Sequence, residues 1–135
     1  MRYKRPDQKN AESICAAAER DMKYTLSLPV TEASAATIVR NIYECFRMLG
    51  EAMLIKKGFE TEDHVAPLKE LTQLKVKTTR PLRTIENLRN LRHNINYNGY
   101  APTIAETNDI LNLARCCFEP LAKKVWKNIK SESGD

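Results

Sequence analysis

The stretch Thr31–Gly58, TEASAATIVRNIYECFRMLGEAMLIKKG, decides the fold. Its apolar residues Ala35, Ile38, Val39, Ile42, Cys45, Phe46, Leu49, Ala52 and Met53 recur at steps of three and one. A helix advances about 100° per residue, so this spacing draws one stripe along one face. A half-buried strand would instead alternate apolar and polar residues, and no such alternation appears. We read a helix over Thr31–Lys57, stopped by Gly58 in the left-handed position that ends helices. Gly50 lies inside it, at a cost of about 1 kcal/mol relative to alanine, and close approach of another helix is the expected compensation.

The same periodicity extends outward. A first helix spans about Asp7 to Leu26, capped by Asp7, with Ile14, Ala17, Ala18 and Met22 inward; Pro29 separates it from the second. Downstream, a short helix is expected near Asp63–Leu74, capped by Asp63 and bent or restarted at Pro67. Lys75–Thr79 is a basic linker. A fourth helix is expected from a cap at Thr78 or Thr79, with Pro81 in its first turn, to Tyr97, stopping at Asn98–Gly99. The fifth opens on the capping box Thr103-Ile104-Ala105-Glu106 and runs through Ile110, Leu113, Ala114 and Cys117 toward Leu121 and Val125. Pro120 predicts a kink there that releases the Cys116 carbonyl. Trp126 is read as a packing anchor. The fold class is therefore all-α: an antiparallel bundle of four to five helices, one domain over residues 1–135 with flexible ends at about 1–6 and 131–135.

Composition narrows the function. The 135 residues are 42% hydrophobic and carry a formal net charge of +5, which permits contact with a polyanion, although the basic residues form no block of five. Cys15, Cys45, Cys116 and Cys117 lack zinc-ligand spacing and fall in apolar segments, as reduced core thiols do. No metal site or cofactor is expected: there is no glycine-rich phosphate loop, no HExxH and no GxSxG. No run approaches the ~18 apolar residues that cross a membrane. The first residues, Met1-Arg2-Tyr3-Lys4-Arg5-Pro6, lack the apolar core of a secretion signal, so a cytoplasmic location is expected.

The candidate site lies on the fourth helix. Leu82, Ile85, Leu88, Leu91 and Ile95 mark its core side, while Arg89, Arg92, His93, Asn96 and Tyr97 project from a neighbouring side. Folding needs only the apolar stripe, so the polar one is surplus. Arg92, with Arg89 one turn earlier, offers a planar cation suited to phosphate. His93 is the side chain of this helix that titrates near neutrality. Asn96 both donates and accepts, and Tyr97 can donate a hydrogen bond or stack on a base. These are components for binding RNA or for cleaving it without a metal, with Arg92, His93 and Tyr97 the catalytic candidates. A plainer alternative makes Arg89 an ion-pair partner of Glu86, the asparagines terminal caps, and Tyr97 and Tyr100 packing groups against the last helix.

Residues 31–127 resemble the HEPN family of helical bundles, found in prokaryotic toxin–antitoxin, defence and RNA-processing systems. The resemblance rests on the long helix Tyr43–Phe59 with its glycine stop, on Asp63-His64 downstream, and most of all on Leu91-Arg92-His93-Asn94-Ile95-Asn96-Tyr97. Active members carry an arginine, four to six intervening residues and a histidine, and two copies form a metal-independent endoribonuclease site. Arg92 falls on that arginine. Tyr97 stands where the histidine would be, and no histidine follows His93. A phenol with a reference pKa near 10 is a poor general base at neutral pH. His93 is expected about 80° from Tyr97 around the helix, so it would replace the missing group only in a differently arranged dimer, and His64 is read as structural. The polar stripe on a basic chain, with Arg92 carried over from the resemblance, leads to the expectation of a homodimeric, non-catalytic or weakly active HEPN-type module that binds RNA or a nucleotide through Arg89, Arg92, His93, Asn96 and Tyr97. The alternatives are an endoribonuclease toxin and an interaction bundle that partners a nucleotidyltransferase.

Overall fold

The computed structural model describes residues 2–60, 62 and 65–131; the expected cap at Asp63 and the histidine at His64 lie outside them. It is an all-α bundle, in the order β1 (Arg2–Tyr3), α1 (Gln8–Leu26), α2 (Ala35–Lys57), β2 (Phe59–Glu60), α3 (Val65–Thr72), α4 (Thr84–Asn98) and α5 (Ile104–Ile129).

Helix α2 is the hub, and α1, α3, α4 and α5 all pack on it. All nine residues of its apolar stripe are buried, and Tyr43, Gly50 and Leu54 join them. The helix begins four residues later than its sequence suggests. Thr31 and Ser34 exchange hydrogen bonds in a turn, with Thr31 N–H donating to Ser34 Oγ (2.9 Å) and Ser34 N–H to Thr31 Oγ1 (3.0 Å). Short hydroxyl side chains compete with the helix for backbone partners in this way. At the other end Gly58 takes the left-handed conformation (φ 88°).

Gly50 has the compensation its sequence position calls for. A Cβ on it would lie 1.9 Å from the carbonyl oxygen of Pro67, so α3 seats its backbone directly on α2 at that point. A side chain of any size would force the two helices apart.

Successive long helices alternate in direction. The Asp7 N–H donates to the Ile55 carbonyl (3.2 Å), joining the start of α1 to the end of α2. Arg40 meets Asn96 and Tyr43 meets Arg92, so α4 runs opposite to α2. Phe46 packs edge-on against Phe118 (5.6 Å between ring centres) and Lys56 Nζ donates to the Ser131 carbonyl (3.0 Å), so α5 follows the direction of α2.

In α1, Asp7 caps the helix by accepting from the Asn10 N–H (3.0 Å). Its buried line is Ala11, Cys15, Ala18, Met22 and Thr25, while Ile14 and Ala17 flank it half-buried. In α5 the capping box is complete, and the helix continues through Pro120 to Ile129. Trp126 is partly buried, and its indole N–H donates to Glu19 across to α1. Cys15, Cys45 and Cys117 are buried free thiols; burial pushes Cys15 and Cys45 up to about 12.

Near the N-terminus, residues 2 and 3 pair antiparallel with Glu60 and Phe59, where a flexible end was expected. Tyr3 stands edge-on to Phe59 (5.5 Å), and the Lys4 N–H donates to the Gly58 carbonyl. Two residues per strand are too few to produce a visible alternation.

Candidate functional site

Helix α4 begins at Thr84, later than the expected cap at Thr78 or Thr79. The Thr78 hydroxyl donates instead to the nearby Arg80 carbonyl. The true first turn is tight: Thr84, Ile85 and Glu86 N–H groups donate to the carbonyls of Pro81, Leu82 and Arg83, three residues back. The helix ends at Gly99, where the Tyr100 N–H reaches back to the Asn94 carbonyl (3.1 Å). Tyr100 then donates its phenolic hydrogen to the Glu106 carboxylate, which also accepts the Thr103 N–H (2.9 Å). That backbone N–H, with the phenol, holds the Glu106 carboxyl below the usual carboxylate range. The end of α4 is thereby fixed to the start of α5.

Between those ends the two stripes separate. Ile85, Leu88 and Ile95 are buried, and Leu82 and Leu91 pack half-buried beside them. Arg89, His93, Asn96 and Tyr97 are exposed and Arg92 is partly so. Tyr97 is 68% exposed, so it does not pack onto α5; of the two tyrosines, only Tyr100 turns that way.

His93 and Tyr97 are neighbours, not divergent. Their ring centres are 4.6 Å apart with planes tilted by 40°. Residues four apart in a helix lie about 40° apart around its axis and one turn along it, which brings such rings together. The expected separation of about 80° around the axis is corrected on this geometry. The pair presents a continuous aromatic edge to solvent.

Arg92 lies with its guanidinium carbon 5.2 Å from the centre of the Tyr43 ring. Tyr43 comes from α2 and is 1% exposed, so Arg92 forms part of its cover. Burial pushes the Tyr43 phenol up, against the pull of the Arg92, Arg47 and Arg89 charges. Arg47 is already neutralised: its Nε donates to Glu44 Oε2 (3.0 Å), and its remaining nitrogens bond Glu44 and Glu51. Among the described residues neither Arg89 nor Arg92 has a carboxylate partner; Glu86 does not pair with Arg89. Arg89 also borders a groove of about 330 Å³ between α3 and α4, together with Lys69, Glu86 and Asn87.

Two residues escaped sequence reasoning: Arg40, on this surface, and Tyr43, buried beneath it. Both belong to α2, and Arg40 Nε donates to Asn96 Oδ1 at 2.7 Å. Arg40, Tyr43 and Arg47 follow steps of three and four beside the apolar stripe. That spacing was the available signal, but nothing local says that α4 packs against it.

The surface thus joins uncompensated guanidinium charge to an exposed pair of rings, a combination able to hold an anion and stack on a planar group. Among the described residues no three His, Cys, Asp or Glu side chains gather to hold a metal ion, and no helix is long and apolar enough to cross a membrane. No family model, curated protein or solved structure matches this chain.

Proposed function

We propose that the protein is a HEPN-like, non-catalytic module that binds RNA or a nucleotide through the outer face of α4, and that it acts as a homodimer with these faces opposed. One observation carries the reading: Arg89 and Arg92 stand without carboxylate partners beside the exposed His93–Tyr97 ring pair. Arg47, by contrast, is neutralised by Glu44 and Glu51. The rings add a stacking surface, which favours unpaired bases over a duplex. The family resemblance supports the dimer. Tyr97 in place of the motif histidine supports binding without cleavage.

The test is fluorescence anisotropy of a labelled single-stranded RNA, titrated with protein over a range of salt. Affinity should fall linearly with salt on logarithmic axes, with a slope of about 0.7 for each phosphate contacted. Arg89→Ala and Arg92→Ala should each weaken binding and flatten that slope. The RNA should remain intact in EDTA. Absence of salt-sensitive binding at low ionic strength sinks the proposal, and cleavage in EDTA that Arg92→Ala abolishes replaces it with the endoribonuclease.

A further inference from the structure

We infer that Arg40 is a third anion-contacting guanidinium of this surface, and that Asn96 is a positioning residue for Arg40 instead of a ligand contact. The inference rests on the reading of the α4 face as an RNA or nucleotide surface and assigns it a residue from a different helix.

The first argument is hydrogen-bond occupancy. The Asn96 side-chain oxygen accepts from Arg40 Nε at 2.7 Å. Of the three guanidinium nitrogens, Nε is the one nearest the backbone. Fixing it orients the fork and leaves the four N–H donors of the two terminal nitrogens unengaged. Arg40 is exposed and, among the described residues, has no carboxylate partner. Arg47, two turns along the same helix, shows the opposite arrangement, with its nitrogens taken up by Glu44 and Glu51.

The second argument is electrostatic. The last turn of α4 holds no basic residue. Its unsatisfied carbonyls carry the negative end of the helix dipole, which repels an anion approaching Asn96 and Tyr97. Arg89 and Arg92 lie one to two turns upstream. Arg40, held against Asn96, brings a positive charge from α2 to the place where α4 supplies none. Arg40 thus adds a charge at the level of Asn96, one turn beyond Arg92.

The experiment titrates the full chain with fluorescein-labelled oligouridylate, for the unaltered protein, Arg40→Ala, Arg40→Lys, Asn96→Ala and the Arg40→Ala/Asn96→Ala double variant. Arg40→Ala should weaken binding about five- to tenfold. It should also reduce the salt slope by about 0.7, a change that a purely structural role would not produce. Arg40→Lys should keep the slope while losing part of the affinity. Asn96→Ala should weaken binding less than Arg40→Ala, and the double variant should bind as Arg40→Ala does. A further loss in the double variant would show that Asn96 meets the ligand directly and overturn its positioning role. Unchanged affinity and slope in Arg40→Ala, alongside loss in Arg92→Ala, overturns the inference and leaves the binding reading standing. If the unaltered protein does not bind, the binding reading falls and the inference falls with it.

Discussion

Helices α2 and α4 lie against each other, yet they answer to different constraints. Twelve of the 23 residues of α2 are buried, against three of the 15 in α4. Helix α2 has neighbours on several sides, so packing dictates most of its residue types. Helix α4 touches the core along a thin edge, and Arg89, His93 and Tyr97 on its outer face are exposed. Packing accounts for Arg92, which covers Tyr43, but not for Arg89, His93 and Tyr97. The contrast separates residues that make the fold from residues that the fold carries, and substitutions in the two helices should differ accordingly.

The largest effect is expected at the centre of α2. Phe46 is fully buried and meets Phe118 edge-on. Phe46→Ala should cost about 4 kcal/mol, through lost transfer energy and the cavity left behind. Urea unfolding followed by far-ultraviolet circular dichroism measures it. A loss below about 1 kcal/mol would mean that the site collapses freely and that the α2–α5 contact is not the core it resembles.

The two helices also hold glycines of opposite kind. Gly50→Ala drives a methyl group onto the Pro67 backbone, which cannot rotate away, and should cost about 2–3 kcal/mol by forcing α3 off α2. Gly99 closes α4 at φ 66° with nothing within 4 Å of a would-be Cβ. Gly99→Ala meets only the backbone penalty of the left-handed region, about 1 kcal/mol. The same urea series ranks them, and equal costs would blunt the contrast between a helix hemmed in by neighbours and one that ends in open space.

How much of this was legible in the sequence follows from the range of the forces involved. The α2 stripe was readable at all nine positions, because burial on one face writes its period into consecutive residues. The capping box at Thr103 and Glu106 was readable for the same reason, since its partners are three residues apart. The start of α4 was not: Thr78 and Thr79 have the chemistry of caps, but the Thr78 hydroxyl is taken by the Arg80 carbonyl. The exposed residues of the candidate site were readable as surplus to folding. Their supports were hidden. Arg40 and Asn96 are 56 residues apart, and only the packing of α4 on α2 brings them together. The Arg92–Tyr43 contact was concealed likewise, behind a tyrosine that sits beside the apolar stripe.

The smallest effects should come from the arginines themselves, and their inequality sharpens the comparison. Arg89 is exposed, makes no ion pair among the described residues and lies one turn from Arg92. Arg89→Ala removes a like charge and installs the best helix former, so stability should shift by no more than about 0.5 kcal/mol in either direction. Arg92→Ala does more, because the guanidinium lies over the Tyr43 ring and its removal exposes that ring to water. That should cost about 1 kcal/mol, from lost cation–π attraction and lost cover by the side-chain stem. Thermal unfolding of the two variants at matched salt distinguishes them. A loss for Arg89→Ala as large as that for Arg92→Ala would make both arginines part of the fold. A loss confined to Arg92→Ala leaves Arg89→Ala as the cleaner probe of the surface, since its effect on any ligand could not then be ascribed to a weakened bundle.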